Sequence, residues 1–478
     1  MTRTFIFTAL FALTLIVGGC RTGSEQTADQ TSTLSGTATT SPDTTVQIAP
    51  AIPAPEWAKN ATIYEVNVRQ FSAKGDLVSV ENQLPRLKEL GVDIVWLMPI
   101  YPIGVEKKKG TLGSPYSVAD YKTINPALGT FDDLKHLVQR AHDLGMRVLL
   151  DYVPNHTAWD HPWVKQHPDW YTQVNGKMTS PLDENGKPTG WDDVVDLNYN
   201  NPDLRAAMVD AMTFWVREAD IDGYRMDVAG FVPNDFWQEV RPALDKIKPV
   251  FMLAEWEAEP NHFRSCFNMN YGWAMHTLLK KIAKGSAKAT AIDSLLASRK
   301  KLYPHWAYQM QFTQNHDENS WNGTLTESFG AGSKAFVVLT STFNGMPLVY
   351  NGMESGLNRR LSFFDKDPIE WGTYTDATFY KSLLTLKHRN RALWNGEEGG
   401  DLVKIPTGHD DQVYAFFRQR DTDRIAVVIN LSNQLQTIRL GSDGYAGLYT
   451  DVFEHKPMEL KAGMTMTLKP WEYHVMTN

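Results

Sequence analysis

The sequence predicts an α/β fold, a (β/α)8 or TIM barrel, followed by a C-terminal antiparallel β-sandwich. Short apolar runs rich in β-branched and aromatic residues alternate with amphipathic helical stretches over residues 55–396. This repeated alternation favours a parallel sheet that closes into a barrel. Over residues 397–478 the apolar residues instead recur at every second position between turn residues, which is typical of antiparallel strands.

Four of the apolar runs in the barrel region end in polar residues. The first leads into Asp151 and residues 152–156, the second ends at Asp227, the third at Glu255, and the fourth leads into residues 315–317. In a parallel barrel, catalytic groups collect where the strands end. We therefore expect these four segments to meet on one face of the barrel.

Asp227 ends a short strand that also carries Arg225, two positions earlier. Side chains alternate along a strand, so the two share a face, and a fixed cation can keep the carboxylate ionised and aimed. An arginine and an aspartate on one strand more often form a structural salt bridge than part of an active site. The three companion segments favour an active site.

The four segments resemble, in order, the four signature regions of glycoside hydrolase family 13, the α-amylase family. Residues 63–71 resemble its first strand, residues 113–121 a tyrosine-bearing substrate loop, and residues 345–354 its last strand. The resemblance extends from about residue 55 to the C-terminus. It implies a barrel with a short domain B inserted after strand 3, over about residues 157–201, and a C-terminal sandwich domain.

The resemblance also implies a retaining mechanism that uses three carboxylates. Asp227 is expected to be the nucleophile, Glu255 the acid/base, and Asp317 the carboxylate that binds the ring hydroxyls. Glu255 must be protonated near neutral pH, and burial next to Trp256 would raise its pKa. Two carboxylates about 5 Å apart are required for retention of configuration.

Four more residues are expected to bind the substrate. Tyr116 corresponds to a tyrosine that stacks under the sugar ring at the cleavage point, although residues 115–117 differ from the usual Gly-Tyr-Asp. His156 and His316 would donate hydrogen bonds to sugar hydroxyls, although a lone histidine is more often structural. Arg225 would hold Asp227 charged, and Asp151 is interpreted as an organiser of Arg225.

No cofactor is expected, and the metal site remains undefined. Family members often carry Lys-His after the nucleophile region, whereas this chain has Gly230 and Phe231. Asn155 is a possible calcium ligand because hard cations accept amide oxygens, but one candidate does not define a site. We predict activity without added calcium.

The N-terminus has the pattern of a bacterial lipoprotein. A basic start and an apolar run over residues 5–17, too short to span a bilayer, predict a signal peptide over residues 1–19. The residues around Cys20 resemble a lipobox, which implies lipid attachment to Cys20; an ordinary signal peptide is the alternative. Residues 20–54 are polar and predict a disordered tether. We expect a membrane-anchored protein, periplasmic or on the cell surface.

Composition limits the partners. The net charge of -8 argues against nucleic acid, and 42% hydrophobic content is ample for a large barrel and a small domain. With Cys20 and Cys266 as the two cysteines, no internal disulfide is expected. The run Lys107 to Lys109 is interpreted as a solvated turn.

The sequence thus predicts a retaining hydrolase of α-1,4-glucosidic bonds in starch-like glucans. A 4-α-glucanotransferase on the same site is an alternative, which differs in whether sugar or water takes the glucosyl group. A catalytically inactive glycan-binding lipoprotein is another, although all three carboxylates are present.

Overall fold

The computed structural model describes residues 52–183 and 185–478. The predicted signal peptide, Cys20 and residues 21–51 of the predicted tether lie outside the described residues. Among the helices within the described ranges, none is long and apolar enough to cross a membrane.

Eight parallel strands close into the predicted barrel, and each strand pairs with its neighbours in sequence order. The last strand pairs with the first, with Ile63 opposite Leu348, which completes the closure. The strands are β1 (Ile63–Val66), β2 (Ile94–Leu97), β3 (Arg147–Tyr152), β4 (Gly223–Met226), β5 (Phe251–Ala254), β6 (Met269–Tyr271), β7 (Tyr308–Gln311) and β8 (Met346–Tyr350).

Alternate strand residues fill the barrel interior. Bulky side chains such as Trp96, Phe251 and Met310 form one buried apolar cluster inside the barrel. The intervening residues, such as Val95 and Met252, belong to a second cluster that includes the helices around the barrel. Both faces of the sheet are therefore buried, which explains why the strands read as continuous apolar runs.

The helices follow the amphipathic stretches of the sequence. The long helix that precedes β4 begins after Asn201, whose side chain accepts from the backbone of Asp203 and Leu204. The helices are α1 (Val68–Phe71), α2 (Leu77–Glu81), α3 (Leu84–Leu90), α4 (Phe131–Asp143), α5 (Pro162–Gln166), α6 (Pro202–Glu218), α7 (Asn234–Asp245), α8 (His262–Ser265), α9 (Trp273–Ala283), α10 (Ala291–Leu302), α11 (Leu325–Phe329), α12 (Ser333–Thr342) and α13 (Ala377–Arg389).

The segment that resembles the family's first strand, residues 63–71, is a strand only in its first half. Strand β1 ends at Val66, and residues 68–71 form the single-turn helix α1. The Gln70 side chain, buried in this turn, donates to the carbonyls of Ser362 and Asp365 and accepts from the backbone of Asp367. These bonds to the loop after β8 outweigh the local β-propensity of the segment.

The chain between β3 and α6 contains small antiparallel elements. His156–Ala158 pairs with Val194–Asp196, and Gln173–Val174 pairs with Lys177–Met178. Trp163 and Trp170 lie edge to face at a centroid distance of 5.0 Å, so part of the aromatic content of this segment is local packing.

The C-terminal region is antiparallel, as predicted. Six strands form one sheet in the order β9-β10-β11-β16-β13-β14, and β12 pairs with β15. The strands are β9 (Leu402–Lys404), β10 (Val413–Arg420), β11 (Asp423–Asn430), β12 (Gln436–Arg439), β13 (Gly447–Asp451), β14 (Pro457–Leu460), β15 (Thr465–Leu468) and β16 (Tyr473–Thr477).

Candidate active site

The predicted site residues follow the carboxyl ends of the barrel strands. Asp227 comes directly after β4 and Glu255 directly after β5, while Asp317 precedes the π-helical turn Glu318–Asn322 beyond β7. Because the eight strands are parallel, these ends lie on one face of the barrel. This is the face at which TIM-barrel active sites are built.

The backbone around Asp227 is unusually constrained. Gly223 begins β4 with φ +146°, and a Cβ there would lie 1.9 Å from the carbonyl oxygen of Phe251, so only glycine fits beside β5. Val228 has φ 37° and ψ 47°, a left-handed conformation that is costly for a β-branched residue. Its backbone N–H donates to Oε2 of Glu255 at 2.9 Å. The strained turn thus joins the two predicted reacting carboxylates.

Arg225 is the centre of the charge network. Its side chain is fully buried, and Nη1 donates to Oδ1 of Asp151 and to Oδ1 of Asp227, both at 2.8 Å. Its Nε donates to the hydroxyl of Tyr271 at 3.2 Å. The guanidinium therefore holds Asp227 by a charge-assisted hydrogen bond, and Asp151 holds the guanidinium.

Glu255 contacts the same guanidinium differently. Oε1 of Glu255 forms an ion pair with Nη2, the other terminal nitrogen of Arg225, at 2.5 Å. Burial, opposed by Arg225 and supported by the charges of Asp227 and Asp317, raises the pKa of Glu255 to about 8. A carboxyl with this pKa is largely protonated at neutral pH, as an acid catalyst must be.

Tyr116, His316 and Asp317 form the other side of the site. The Tyr116 hydroxyl donates to Oδ2 of Asp151 at 3.0 Å and lies 2.8 Å from Nε2 of His316. This Nε2 is 3.4 Å from Oδ2 of Asp317. Two side chains thus connect Asp317 to Asp151, and through it to Arg225.

His156 completes the set of seven predicted residues. It is buried, its Nδ1 lies 3.2 Å from the Asn155 amide nitrogen, and it is close enough to Asp227 for that charge to affect its pKa. Burial lowers the pKa of His156, so the imidazole is neutral at pH 7. The structure therefore brings all seven predicted residues into one connected cluster.

Besides Tyr271, sequence reasoning missed three residues of this cluster. Glu65, at the end of β1, lies 2.5 Å from Nδ1 of His316, and Trp96 in β2 donates from Nε1 to Oδ2 of Asp151. Phe363, beyond β8, stacks on Tyr116 with ring centroids 6.1 Å apart. The position of Glu65 near a strand end was a usable signal, whereas nothing local marks Phe363.

Aromatic rings also line the side of the site that holds Glu255. Phe231 lies between Trp191 and Trp256, with centroid distances of 6.2 and 5.3 Å, and Trp191 lies 5.8 Å from His156. Phe231 occupies the position where family members often carry histidine. It replaces a polar group by a flat apolar face.

Within residues 52–183 and 185–478, no group of three or more His, Cys, Asp or Glu side chains is placed to hold a metal ion. The Asn155 amide nitrogen lies 3.2 Å from Nδ1 of His156. Lys109, from the loop after β2, forms a 2.8 Å ion pair with the buried Asp193. The Lys109 ammonium therefore neutralises the charge of the Asp193 carboxylate.

An ionised carboxylate, Asp227, paired with a carboxyl of raised pKa, Glu255, at the carboxyl end of a closed (β/α)8 barrel fits a hydrolase of glycosidic bonds. Comparison with known proteins agrees. Residues 31–400 match the family described as alpha amylase, catalytic domain, and residues 405–475 match the maltogenic amylase C-terminal domain. The chain belongs to the α-amylase family of glycoside hydrolases.

Individual relatives match over most of the chain. Alpha-amylase MalA of Haloarcula japonica is 29% identical over 415 residues, which cover 82% of this chain but 58% of MalA. Neopullulanase 2 of Thermoactinomyces vulgaris is 27% identical over 89% of this chain and 78% of its own length. The crystal structure of a noncanonic maltogenic alpha-amylase, AmyB from Thermotoga neapolitana, superposes with a TM-score of 0.77 and 30% identity over 88% of this chain and 99% of AmyB.

Proposed function

We propose that the protein is a retaining α-glucan hydrolase that cleaves α-1,4-glucosidic bonds of starch-like polysaccharides and oligosaccharides. One observation carries this proposal: Asp227 and Glu255 contact the two terminal nitrogens of the same buried guanidinium, that of Arg225. This arrangement supports the short carboxylate separation of a retaining enzyme, about 5 Å. The names of the relatives, amylases and a neopullulanase, support α-glucans as the substrate class.

The reaction proceeds by double displacement. Glu255 donates its proton to the glycosidic oxygen while a carboxylate oxygen of Asp227 attacks the anomeric carbon, which breaks the glycosidic bond and forms a glycosyl ester. The Glu255 carboxylate then takes a proton from water, and the resulting hydroxide equivalent displaces Asp227. Asp317 holds the ring hydroxyls as the ring flattens toward the oxocarbenium-like transition state.

The surrounding residues position these groups. The Tyr116 ring supplies a flat face for the sugar at the cleavage point, and His156 and His316 supply donors for its hydroxyls. Arg225 stabilises the ionised form of Asp227, since its Nη1 donates directly to Oδ1. Catalysis in this scheme needs no cofactor. Loss of activity in chelator, restored by calcium, would contradict the proposed independence from calcium.

The test is turnover on starch, pullulan, cyclodextrin and maltooligosaccharides, followed by chromatography of the products. We expect cleavage of α-1,4-linked substrates with the α-configuration retained in the first product. Asp227→Ala is expected to abolish turnover while the circular dichroism spectrum and melting temperature remain close to wild type. Turnover retained by folded Asp227→Ala would contradict the assignment, and a folded wild type without turnover would favour an inactive glycan-binding protein.

Transfer to sugar is the second candidate activity. The rings of Trp191, Phe231 and Trp256 lie next to His156 and Glu255, where the leaving group departs, and flat apolar faces suit a sugar acceptor. Products longer than the maltooligosaccharide supplied would identify a 4-α-glucanotransferase. Products that are all shorter would identify a hydrolase.

We further propose that the mature chain is a bacterial lipoprotein anchored through Cys20. The apolar run over residues 5–17 and the small residues before Cys20 support this proposal. Labelling of cells with a clickable fatty acid should modify the wild type and leave Cys20→Ser unlabelled. Equal labelling of both proteins, or of neither, would contradict the anchor.

A further inference from the structure

Trp321 is the one aromatic side chain among the strongly exposed large apolar residues of the described ranges, with 44% of its surface accessible. It lies in the turn Glu318–Asn322 that directly follows Asp317. Exposing a tryptophan to water has a free-energy cost, and large flat rings beside a polar cleft are typical of ligand contact surfaces. Its position beside the candidate active site therefore requires an explanation.

Phe363 connects Trp321 to the sugar-stacking tyrosine. The Phe363 ring lies 5.1 Å from that of Trp321 and 6.1 Å from that of Tyr116, to which it is nearly parallel at 11°. Phe364 adds a fourth ring, 5.7 Å from Trp321. The rings form a continuous apolar surface that begins at Tyr116 and ends at an exposed indole.

Hydrogen bonds between two loops hold this surface in place. The Asn319 amide donates to the carbonyl of Arg359 and accepts from the backbone of Leu361, and the Ser320 hydroxyl donates to the carbonyl of Leu361. Arg69 donates to the carbonyl of Phe363 at 3.1 Å. The rings are thus fixed before any ligand arrives, which reduces the entropy cost of binding.

The roles proposed for Tyr116 and Glu255 assign this surface to the glycone side of the cleavage point. Glu255, which protonates the leaving group, is flanked by Trp256 and Phe231, whereas Phe363 contacts Tyr116 and His316. A glucan bound across the site therefore passes its non-reducing portion toward Trp321.

We propose that Trp321 and Phe363 form an outer sugar subsite that stacks a glucosyl ring of a longer α-glucan, beyond the ring held by Tyr116. This inference rests on the proposed function, because it assumes that a glucan occupies the cleft. The subsite gives the protein a preference for longer glucans, because short oligosaccharides do not reach Trp321.

The experiment compares kcat/KM for maltotriose and maltoheptaose in Trp321→Ala, Trp321→Phe and the wild type. Trp321→Ala is expected to lose about tenfold on maltoheptaose and less than about twofold on maltotriose, which corresponds to about 1.4 kcal/mol of stacking. Trp321→Phe should retain most of the activity, because it keeps a ring. Leu112→Ala is the matched control: Leu112 is 43% exposed, its backbone donates to Phe364, and it has no ring.

Equal losses on both substrates, or no loss on either, would overturn the subsite. Its failure is separated from failure of the proposed function by a binding measurement. If the wild type cleaves no α-glucan, titration of wild type and Trp321→Ala with maltoheptaose decides the question. Weaker binding by the variant supports the subsite; equal affinity, or no binding by either protein, overturns it.

Discussion

One buried cation faces three carboxylates at the centre of the site. Arg225 donates from Nη1 to Asp151 and Asp227, and its Nη2 forms an ion pair with Glu255. A single positive charge cannot compensate three negative charges in a buried site, so one group must carry a proton. Burial raises the pKa of Glu255 to about 8 and that of Asp151 to about 7, so Glu255 is the group that holds the proton more tightly at neutral pH.

The pH dependence of activity tests whether Glu255 is the protonated carboxyl group of the site. Burial raises the pKa of Glu255 to about 8, and its protonated form is the proposed catalytic acid. We expect kcat/KM to be maintained at neutral pH and to fall as the pH rises through about 8. The measurement is a pH–rate profile on a maltooligosaccharide. An alkaline limb near the ordinary carboxyl pKa of about 4.5 would contradict the assignment.

A second prediction concerns Glu65. Burial alone would lower the pKa of His316, but the carboxylates of Asp317 and Glu65 outweigh it and raise the pKa to about 9. The imidazole is therefore protonated at neutral pH and loses its charge only as the pH rises through that value. Glu65→Gln should lower this pKa and cost about tenfold in kcat/KM at about pH 8, and less at about pH 6.

NMR titration of the His316 ring, assigned with a His316→Gln variant, provides the direct readout. Unchanged titration and an unchanged pH profile in folded Glu65→Gln would show that Glu65 has no influence on His316.

At the scale of elements, a charged surface loop fastens the segment inserted after β3. Sequence reasoning treats Lys109 as part of a solvated turn, yet its ammonium pairs with the buried Asp193 and donates to the carbonyl of Gly190. Lys109→Met leaves Asp193 buried without its partner. We expect a loss of about 2 kcal/mol in unfolding free energy, between the values for exposed and buried pairs.

Limited proteolysis of residues 153–201 and thermal unfolding measure this effect. Lys108→Met is the matched control, because Lys108 donates within its own loop to the carbonyl of Thr111. Equal stability of the two variants would contradict a fastening role for Lys109.

The elements themselves were largely predictable from sequence, because strands buried on both faces and amphipathic helices have distinct apolar periods. Helix α6, Pro202–Glu218, is an example: it begins at a proline and buries apolar residues at helical spacing, Leu204, Met208, Ala211 and Trp215. Helix α1 was not predictable, since bonds from Gln70 to a loop nearly 300 residues away determine its conformation. Local propensity carries no information about such contacts.

At the scale of the molecule, the C-terminal sheet stabilises the barrel through buried polar contacts. Arg418 in β10 is fully buried, and it donates to the carbonyl of Thr342, at the end of α12, and to that of Gly400. A cation at a helix C-terminus is favourable. Arg418→Met leaves these carbonyls without donors and should cost about 3 kcal/mol of unfolding free energy.

Urea denaturation followed by tryptophan fluorescence checks this value, with Arg420→Met, further along the same strand, as the control. Activity per folded molecule should remain unchanged in both variants. An Arg418→Met protein as stable as the control would contradict the stabilising contact.

The part of the site that lies at the carboxyl ends of the strands was predictable from the sequence. Asp227, Glu255 and Asp317 lie far apart in sequence, and the parallel barrel alone brings them to one face. Glu65 and Phe363 were missed because their importance comes from contacts with His316 and Tyr116 across the barrel mouth. Such pairs have no local pattern, so the sequence without the fold does not identify them.

In the proposed mechanism, Asp227 attacks the anomeric carbon and becomes covalently glycosylated. A fluorinated α-glucosyl fluoride, which slows hydrolysis of the glycosyl ester, traps this species for peptide mass spectrometry. We expect one added fluoroglucosyl group per chain, located on Asp227. An adduct on a different residue, or rapid turnover that inverts the anomeric configuration, would contradict it.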